Sequence, residues 1–244
     1  MKNNYLQLLT NIVFIGLAFT LNGCVFSTFQ TAKSMGQNNT ALGGGILGGN
    51  VITKSKVDEF DRIWSGRQKY EYTTNKIVWP VFWLRYGASN KVDLILKGFN
   101  PSGVGGKWQF LGDQESKWAM ALNGECLYSY VFDFGGGGAH ADIVDLYISL
   151  IVSREYELIK NDTFLSPYFA PKVIFRRAEE SNGNIIYSQN IGFNFGINLK
   201  YAYWKDKEIE WMLEYNFVKD ISDPDFNSNS HQIGLGASYK KMRW

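Results

Sequence analysis

The chain has 244 residues, with 25 Lys and Arg against 23 Asp and Glu, and a formal net charge of +2. This balance argues against a nucleic-acid-binding protein, which usually has a clear basic excess. An apolar fraction of 45% excludes a disordered chain, and two cysteines are too few for a disulfide framework or a cysteine-rich metal site. Twenty-five glycines and 16% aromatic residues, with only 20% charged residues, are typical of β-rich proteins.

The amino-terminal stretch has the features of an export signal. Lys2 gives a positive start, residues 6–21 are mostly apolar, and Leu21-Asn22-Gly23-Cys24 follows. This ending resembles a bacterial lipobox, in which the cysteine is acylated and becomes the mature amino terminus. The resemblance implies a signal peptide over 1–23, an acyl chain such as palmitate on Cys24, and lipoprotein export machinery as a partner. Val25, in place of Asp, implies onward transport to the outer membrane.

A single transmembrane anchor is the alternative to the lipobox interpretation, but the apolar run is short and interrupted for that role. Residues 24–39 are rich in Ser, Thr, Gln and Asn without a sustained period. We therefore expect them to form a lipidated tether.

From Thr40 onward, apolar residues alternate with polar or small ones at a period of two, which indicates β-strands. The run 191–203 is the clearest case, with apolar or aromatic side chains at every odd position. Turn chemistry separates ten such runs. The predicted strands are 40–50, 77–88, 91–100, 103–112, 116–132, 139–155, 163–178, 185–204, 208–218 and 231–240. Residues 51–76 form the one long connection, in which Val57, Phe60 and Trp64 could belong to a short amphipathic helix.

The distribution of charge indicates which solvent the apolar faces meet. The apolar faces carry no Asp, Glu, Lys or Arg, whereas the interleaved faces carry eleven, which we expect to face a lumen. A lipid-facing charge costs about 2–4 kcal/mol at the bilayer midplane, which would explain why the apolar faces carry none. The near-balance of the two signs favours ion pairs across the lumen over a selective pore. The eleven are Arg85, Asp93, Lys97, Lys107, Lys117, Glu125, Asp145, Lys172, Lys200, Glu210 and Glu214.

Several predicted strands also exceed the ~9–11 residues that span a bilayer. Backbone groups in hydrocarbon must all be paired, so such a sheet has to close. We therefore predict an all-β, closed, antiparallel, up-and-down transmembrane barrel of about ten strands over residues 40–244. Ten is an even number, which puts both barrel termini on one side, the periplasmic side if Cys24 is lipidated there.

Over this range the chain resembles bacterial outer-membrane β-barrel proteins as a class. Residues 81–87 with 92–94 look like a recurrent hairpin of that class, and Trp244 is a terminal aromatic residue, as is common there. A one-residue bulge at Lys240-Lys241 would bring Trp244 into phase with the lipid face. The resemblance implies membrane lipid and the outer-membrane assembly machinery as partners.

Candidate chemistry is sparse. His140 and His231, near Asp142 and Asp133, suit a surface hydrolase or a metal site by residue type, but no catalytic motif supports either. Cys126 alternates onto the lipid face and is expected to be an apolar filler. We expect no cofactor and no enzymatic activity, and a structural, partner-binding or small-ligand-binding role. The alternatives are a lipid-anchored periplasmic barrel that holds an apolar ligand, and a surface hydrolase.

Overall fold

The computed structural model describes residues 29–56, 70–98, 101–113, 115–132, 140–160, 162–180, 183, 185–204, 207–222 and 228–241. The predicted signal peptide and Cys24 lie outside these ranges. The described residues form eleven strands: β1 (Thr40–Lys56), β2 (Tyr70–Gly87), β3 (Val92–Gly98), β4 (Ser102–Leu111), β5 (Trp118–Phe132), β6 (His140–Arg154), β7 (Tyr156–Ile159), β8 (Thr163–Glu180), β9 (Ile185–Trp204), β10 (Lys207–Asp220) and β11 (Ser228–Lys241). In these ranges no helix has the length and apolar character needed to cross a membrane.

The strands close into a ten-stranded antiparallel barrel. Sequence neighbours pair along the whole sheet, β1 pairs with β11, and β6 pairs with β8 to complete the ring. The short β7 continues β6 along β8 after a break at Glu155, so the two make one wall strand. The predicted fold class is confirmed.

The main difference from the predicted strands lies in the expected connection 51–76. There, β1 and β2 continue as a paired ribbon from Asn50 opposite Lys76 to Lys56 opposite Tyr70. The candidate helix around Val57, Phe60 and Trp64 lies outside the described residues. The pairing of β11 is regular through Lys241, without the expected bulge, and Trp244 is outside the described part.

The barrel wall is apolar outside and polar inside. Along β11, Ile233 and Leu235 are 59% and 64% exposed, whereas Gln232, which precedes Ile233, is 1% exposed. The same alternation places Asn194 and Glu214 at 0% exposure and Phe195 at 50%. This arrangement is the reverse of a water-soluble protein, and it suits a surface that meets hydrocarbon.

The two ends of the barrel differ in their connections. At the end where β1 begins and β11 ends, which we call the terminal end, the strands are joined by residues 88–91, 112–117, 160–162 and 205–206. The opposite end has residues 57–69, 99–101, 133–139, 181–184 and 221–227 between its strands. Short connections at one end and longer ones at the other are typical of transmembrane barrels.

Candidate functional site: the occupied lumen

Most of the predicted lumen-facing charges lie inside the barrel. Lys200 and Glu210 are partly buried there, with side chains 20% and 12% exposed. Lys117 differs from the prediction, because β5 begins at Trp118, two residues later than predicted, and Lys117 is exposed in the turn before it. The buried members of the set are Arg85, Asp93, Lys97, Lys107, Glu125, Asp145, Lys172 and Glu214.

Ion pairs connect these charges across the wall strands. Lys97 Nζ lies 2.5 Å from Glu125, and Lys107 Nζ lies 3.0 Å from Asp93. Because the charges in each of these pairs are of opposite sign, the cost of removing them from water is partly offset. The lining therefore does not present charges of one sign.

Two further pairs extend this network. Arg85 Nη2 lies 2.8 Å from Glu210. Arg176 binds Asp145 through two hydrogen bonds of 2.7 and 2.8 Å, which is a bidentate pair. Arg176 was not among the predicted luminal charges, although it follows Lys172 by four residues and thus shares its phase.

The segment expected to be a tether lies within the barrel. Residues 29–39, which we call the luminal segment, run from β1 back through the terminal end into the lumen, where Phe29, Ala32 and Met35 are buried. The amide of Phe29 contacts Glu214 of β10. Glu214 lies opposite Gly234, which is seven residues from the end of β11 at Lys241. The segment thus extends from the terminal end to the middle of the wall.

Side chains of the wall hold the main chain of this segment. Lys107 Nζ donates to the carbonyl oxygens of Thr31 and Lys33, at 3.0 and 2.7 Å. The Asp93 carboxylate accepts from the Met35 amide and from the Ser34 hydroxyl, both at 2.9 Å. The Lys107–Asp93 pair therefore binds both donors and acceptors of the luminal segment.

Three other wall residues each accept one amide hydrogen bond. Gln109 Oε1 accepts from the Ser34 amide at 2.7 Å, and Ser153 Oγ accepts from the Ala32 amide at 3.1 Å. Deeper in the lumen, Glu214 accepts from the Phe29 amide at 3.0 Å. These contacts satisfy amide groups that would otherwise be buried without partners.

Phe29 occupies a socket lined by glycines on both sides of the β1–β11 junction. Its ring stacks on Trp83 with a centroid distance of 5.3 Å. A methyl group at Gly234 would lie 2.5 Å from Cζ of Phe29, and one at Gly45 would lie 3.2 Å from Cε2. The absence of side chains at these positions makes the space that the ring fills. The apolar cluster around it contains Phe29, Leu47, Trp79, Val81, Trp83 and Met212.

Nearer to the terminal end, the luminal segment makes one apolar contact through Ala32 and one ionic contact through Lys33. Ala32 packs in a cluster that includes Ala119, Ala121 and Ile151. Lys33 Nζ lies 2.6 Å from Glu155, the residue at the break between β6 and β7, and Lys200 binds the other oxygen of that carboxylate at 2.9 Å. Glu155 was not a predicted site residue, because it lies at the predicted end of its strand.

Little free space remains beside the segment. One cavity of about 30 Å³ lies against Thr31 and Lys33, and another of about 10 Å³ lies against Phe29 and Gln30. Spaces of this size hold about one or two water molecules. A larger apolar hollow of about 740 Å³ is lined by Ile46, Trp211 and Leu235, which are outward-facing, so it belongs to the outer surface.

The histidines do not form a site with each other. His231 is exposed on the outer face of β11, where Nδ1 lies 2.7 Å from the Tyr215 hydroxyl. His140 begins β6, four strands away around the ring, or about 19 Å along the wall. Within the described ranges, no group of three His, Cys, Asp or Glu could hold a metal ion. Cys126 is a free, exposed cysteine on the outer face.

No protein-family model matches the chain, and no curated protein matches it. The outer membrane protease OmpT from Escherichia coli aligns over 89% of this chain and 100% of its own, with 10% identity and a TM-score of 0.50. OprG from Pseudomonas aeruginosa aligns over 86% and 100%, with 10% identity and a TM-score of 0.38. Ail of Yersinia pestis aligns over 84% and 99%, with 13% identity and a TM-score of 0.31. The likeness is one of fold, and the fold is that of bacterial outer-membrane β-barrel proteins.

Proposed function

We propose that the protein is a lipoprotein of the bacterial outer membrane whose barrel serves as a sealed, partner-binding platform and not as a pore or an enzyme. The observation that carries this proposal is the occupation of the lumen by residues 29–39. A barrel of ten strands has little free interior, and this one fills its terminal half with its own chain.

The apolar outer wall supports the membrane location. Exposed aliphatic and aromatic side chains cover the strands from Leu42 on β1 to Tyr239 on β11. At about 25 cal/mol per Å² of apolar surface, such a wall is stable only in hydrocarbon. The same distribution disfavours a water-soluble barrel with an apolar ligand inside, because the interior contains ion pairs such as Lys107–Asp93.

The lipidated cysteine belongs to the same proposal. Cleavage before Cys24 leaves an acylated amino terminus five positions before Phe29, the first described residue. Signal peptide removal and lipidation require the lipoprotein export machinery, and insertion of the wall requires the outer-membrane assembly machinery. The short connections at the terminal end favour a periplasmic location for that end.

A hydrolase role has no support among the described residues. His231 faces outward beside Tyr215, and three strands lie between its strand and that of His140. We therefore propose no catalytic residue and no cofactor.

Membrane fractionation with surface proteolysis tests the platform. The mature protein should sediment with outer membranes, run with heat-modifiable mobility, and form no steady conductance in planar bilayers. A mature chain that stays folded and monomeric without detergent would refute the membrane barrel, and a large steady conductance would refute the sealed lumen.

A second test concerns the anchor. Cys24→Ser should abolish incorporation of a labelled fatty acid, because the thiol carries the first lipid. The barrel should still assemble, since its apolar wall supplies its own membrane affinity, and Cys126→Ser is the matched control that keeps full labelling. Equal labelling of Cys24→Ser and the parent protein would contradict the lipobox assignment.

A further inference from the structure

We propose that the lumen is a binding site for a polypeptide segment that has no regular secondary structure, and that the luminal segment occupies this site in cis. The inference deepens the proposed partner-binding role, on which it rests, by naming the class of partner. The ligand is a short irregular stretch of protein, supplied by this chain or by another, that enters through the terminal end.

The first support is the way the wall recognises main-chain atoms. Lys107 binds two carbonyl groups, while Asp93, Gln109, Ser153 and Glu214 accept amide hydrogens. These partners come from β3, β4, β6 and β10 and converge on one short segment of ligand. Such contacts do not depend on side-chain identity, so another segment of similar length could make them.

The second support is a set of side-chain subsites that would give selectivity. The glycine socket beside Trp83 takes the aromatic ring of Phe29. Three residues later, the alanine-lined wall takes Ala32, and Glu155 then takes the ammonium group of Lys33. The lumen thus fits an aromatic residue with a small residue three positions later and a basic residue four positions later.

The third support is that the ligand is separable from the wall. The ring of strands closes through the pairing of β1 with β11, and residues 29–37 do not pair with any wall strand through a β-ladder. The segment joins β1 through a turn in which Gly36 and Asn38 have φ of +79° and +62°. Gln37 and Asn38 are exposed in this turn, so the connection lies outside the binding site.

An exchange experiment tests the proposal. The chain from residue 25 onward, folded in detergent, carries a sequence-specific protease site inserted between Gln37 and Asn38, and folding is verified by heat-modifiable mobility. After cleavage, the amino-terminal fragment should stay bound through gel filtration. Excess synthetic peptide of residues 29–39 should then displace it, and the Phe29→Ala peptide should require at least about tenfold more, because the aromatic anchor is lost.

Three results would overturn the proposal. They are immediate loss of the fragment on cleavage, failure of any excess of peptide to displace it, and equal displacement by a scrambled peptide. Success or failure here is distinct from that of the membrane proposal, since fractionation and acyl labelling report on the latter alone.

A second experiment does not need the inserted protease site. Full mature chain with Phe29→Ala is folded in the presence of the 29–39 peptide bearing a photoreactive phenylalanine analogue at position 29. The crosslink should map to the socket, which is lined by Gly234 and Gly236 of β11, Gly45 of β1 and Trp83 of β2. Absence of a crosslink to these three strands, or an equal yield with the scrambled peptide, would contradict the assignment.

Discussion

Gly234→Ala and Phe29→Ala should compensate each other. Gly234 lies on the inner face of β11, and a methyl group there would approach Cδ2 of Leu47 to 2.4 Å and Cζ of Phe29 to 2.5 Å. Both distances are at least about 1 Å shorter than the optimal separation of two carbon atoms. Removal of the Phe29 ring takes away one of these contacts and leaves space into which the end of the Leu47 side chain can move, so the methyl group should then be better tolerated.

The expected magnitudes follow from burial. Phe29 is 3% exposed, and the paired backbones of β1 and β11 cannot collapse into the vacated socket, so Phe29→Ala should cost about 3–5 kcal/mol. Gly234→Ala alone should cost about 1–3 kcal/mol through overpacking. In the double variant the methyl fills part of the cavity, so the loss should fall short of the sum by about 1–3 kcal/mol.

Unfolding in denaturant, from detergent or vesicles, measures the four free energies of this cycle. Gly98→Ala is the matched control, because a methyl group there meets nothing within 4 Å, and its effect should add to that of Phe29→Ala. Strict additivity of Gly234→Ala with Phe29→Ala would refute the docking of the luminal segment in the socket.

Two further predictions test the buried charges and the outer wall. Lys107→Met should lower the free energy of unfolding by about 3–5 kcal/mol, because Asp93 is 0% exposed and loses its cation. Lys117 is exposed, so Lys117→Met should change the free energy of unfolding by less than about 0.5 kcal/mol. Similar losses in the two variants would contradict the Lys107–Asp93 ion pair. Phe195→Arg, at the centre of β9, should lower the free energy of unfolding in vesicles by about 2–4 kcal/mol, whereas Tyr187→Arg, near the end of the strand, should lower it by about 0–1 kcal/mol. Equal losses in the two variants would argue against a bilayer around this wall.

The wall could be predicted from sequence because alternation is a local property. In β9, every odd residue from Ile191 to Tyr201 was assigned to the outside, and Ile191, Phe195 and Tyr201 are exposed there. Strand ends were less predictable. β1 and β2 continue past the expected ends because hydrogen bonding between neighbours extends them through polar residues that have no apolar alternation.

The contents of the lumen could not be predicted in the same way. The luminal segment has the composition of a linker, and only the positions of Lys107, Asp93 and Glu214 in three dimensions give its backbone partners. One signal was present in the sequence. Gly234 and Gly236 alternate with the apolar residues of β11, which places them on the inner face, where they make room for an occupant.

The β1–β11 junction has a consequence for the order in which the barrel forms. Its paired residues lie 175 positions apart at Thr53–Ser228 and 201 at Thr40–Lys241, so this pairing is the longest-range contact in the ring. Loop-closure entropy delays such contacts. Phe29 touches both sides of the junction. Its ring is therefore fully enclosed only when β11 pairs with β1, which links filling of the lumen to closure of the barrel.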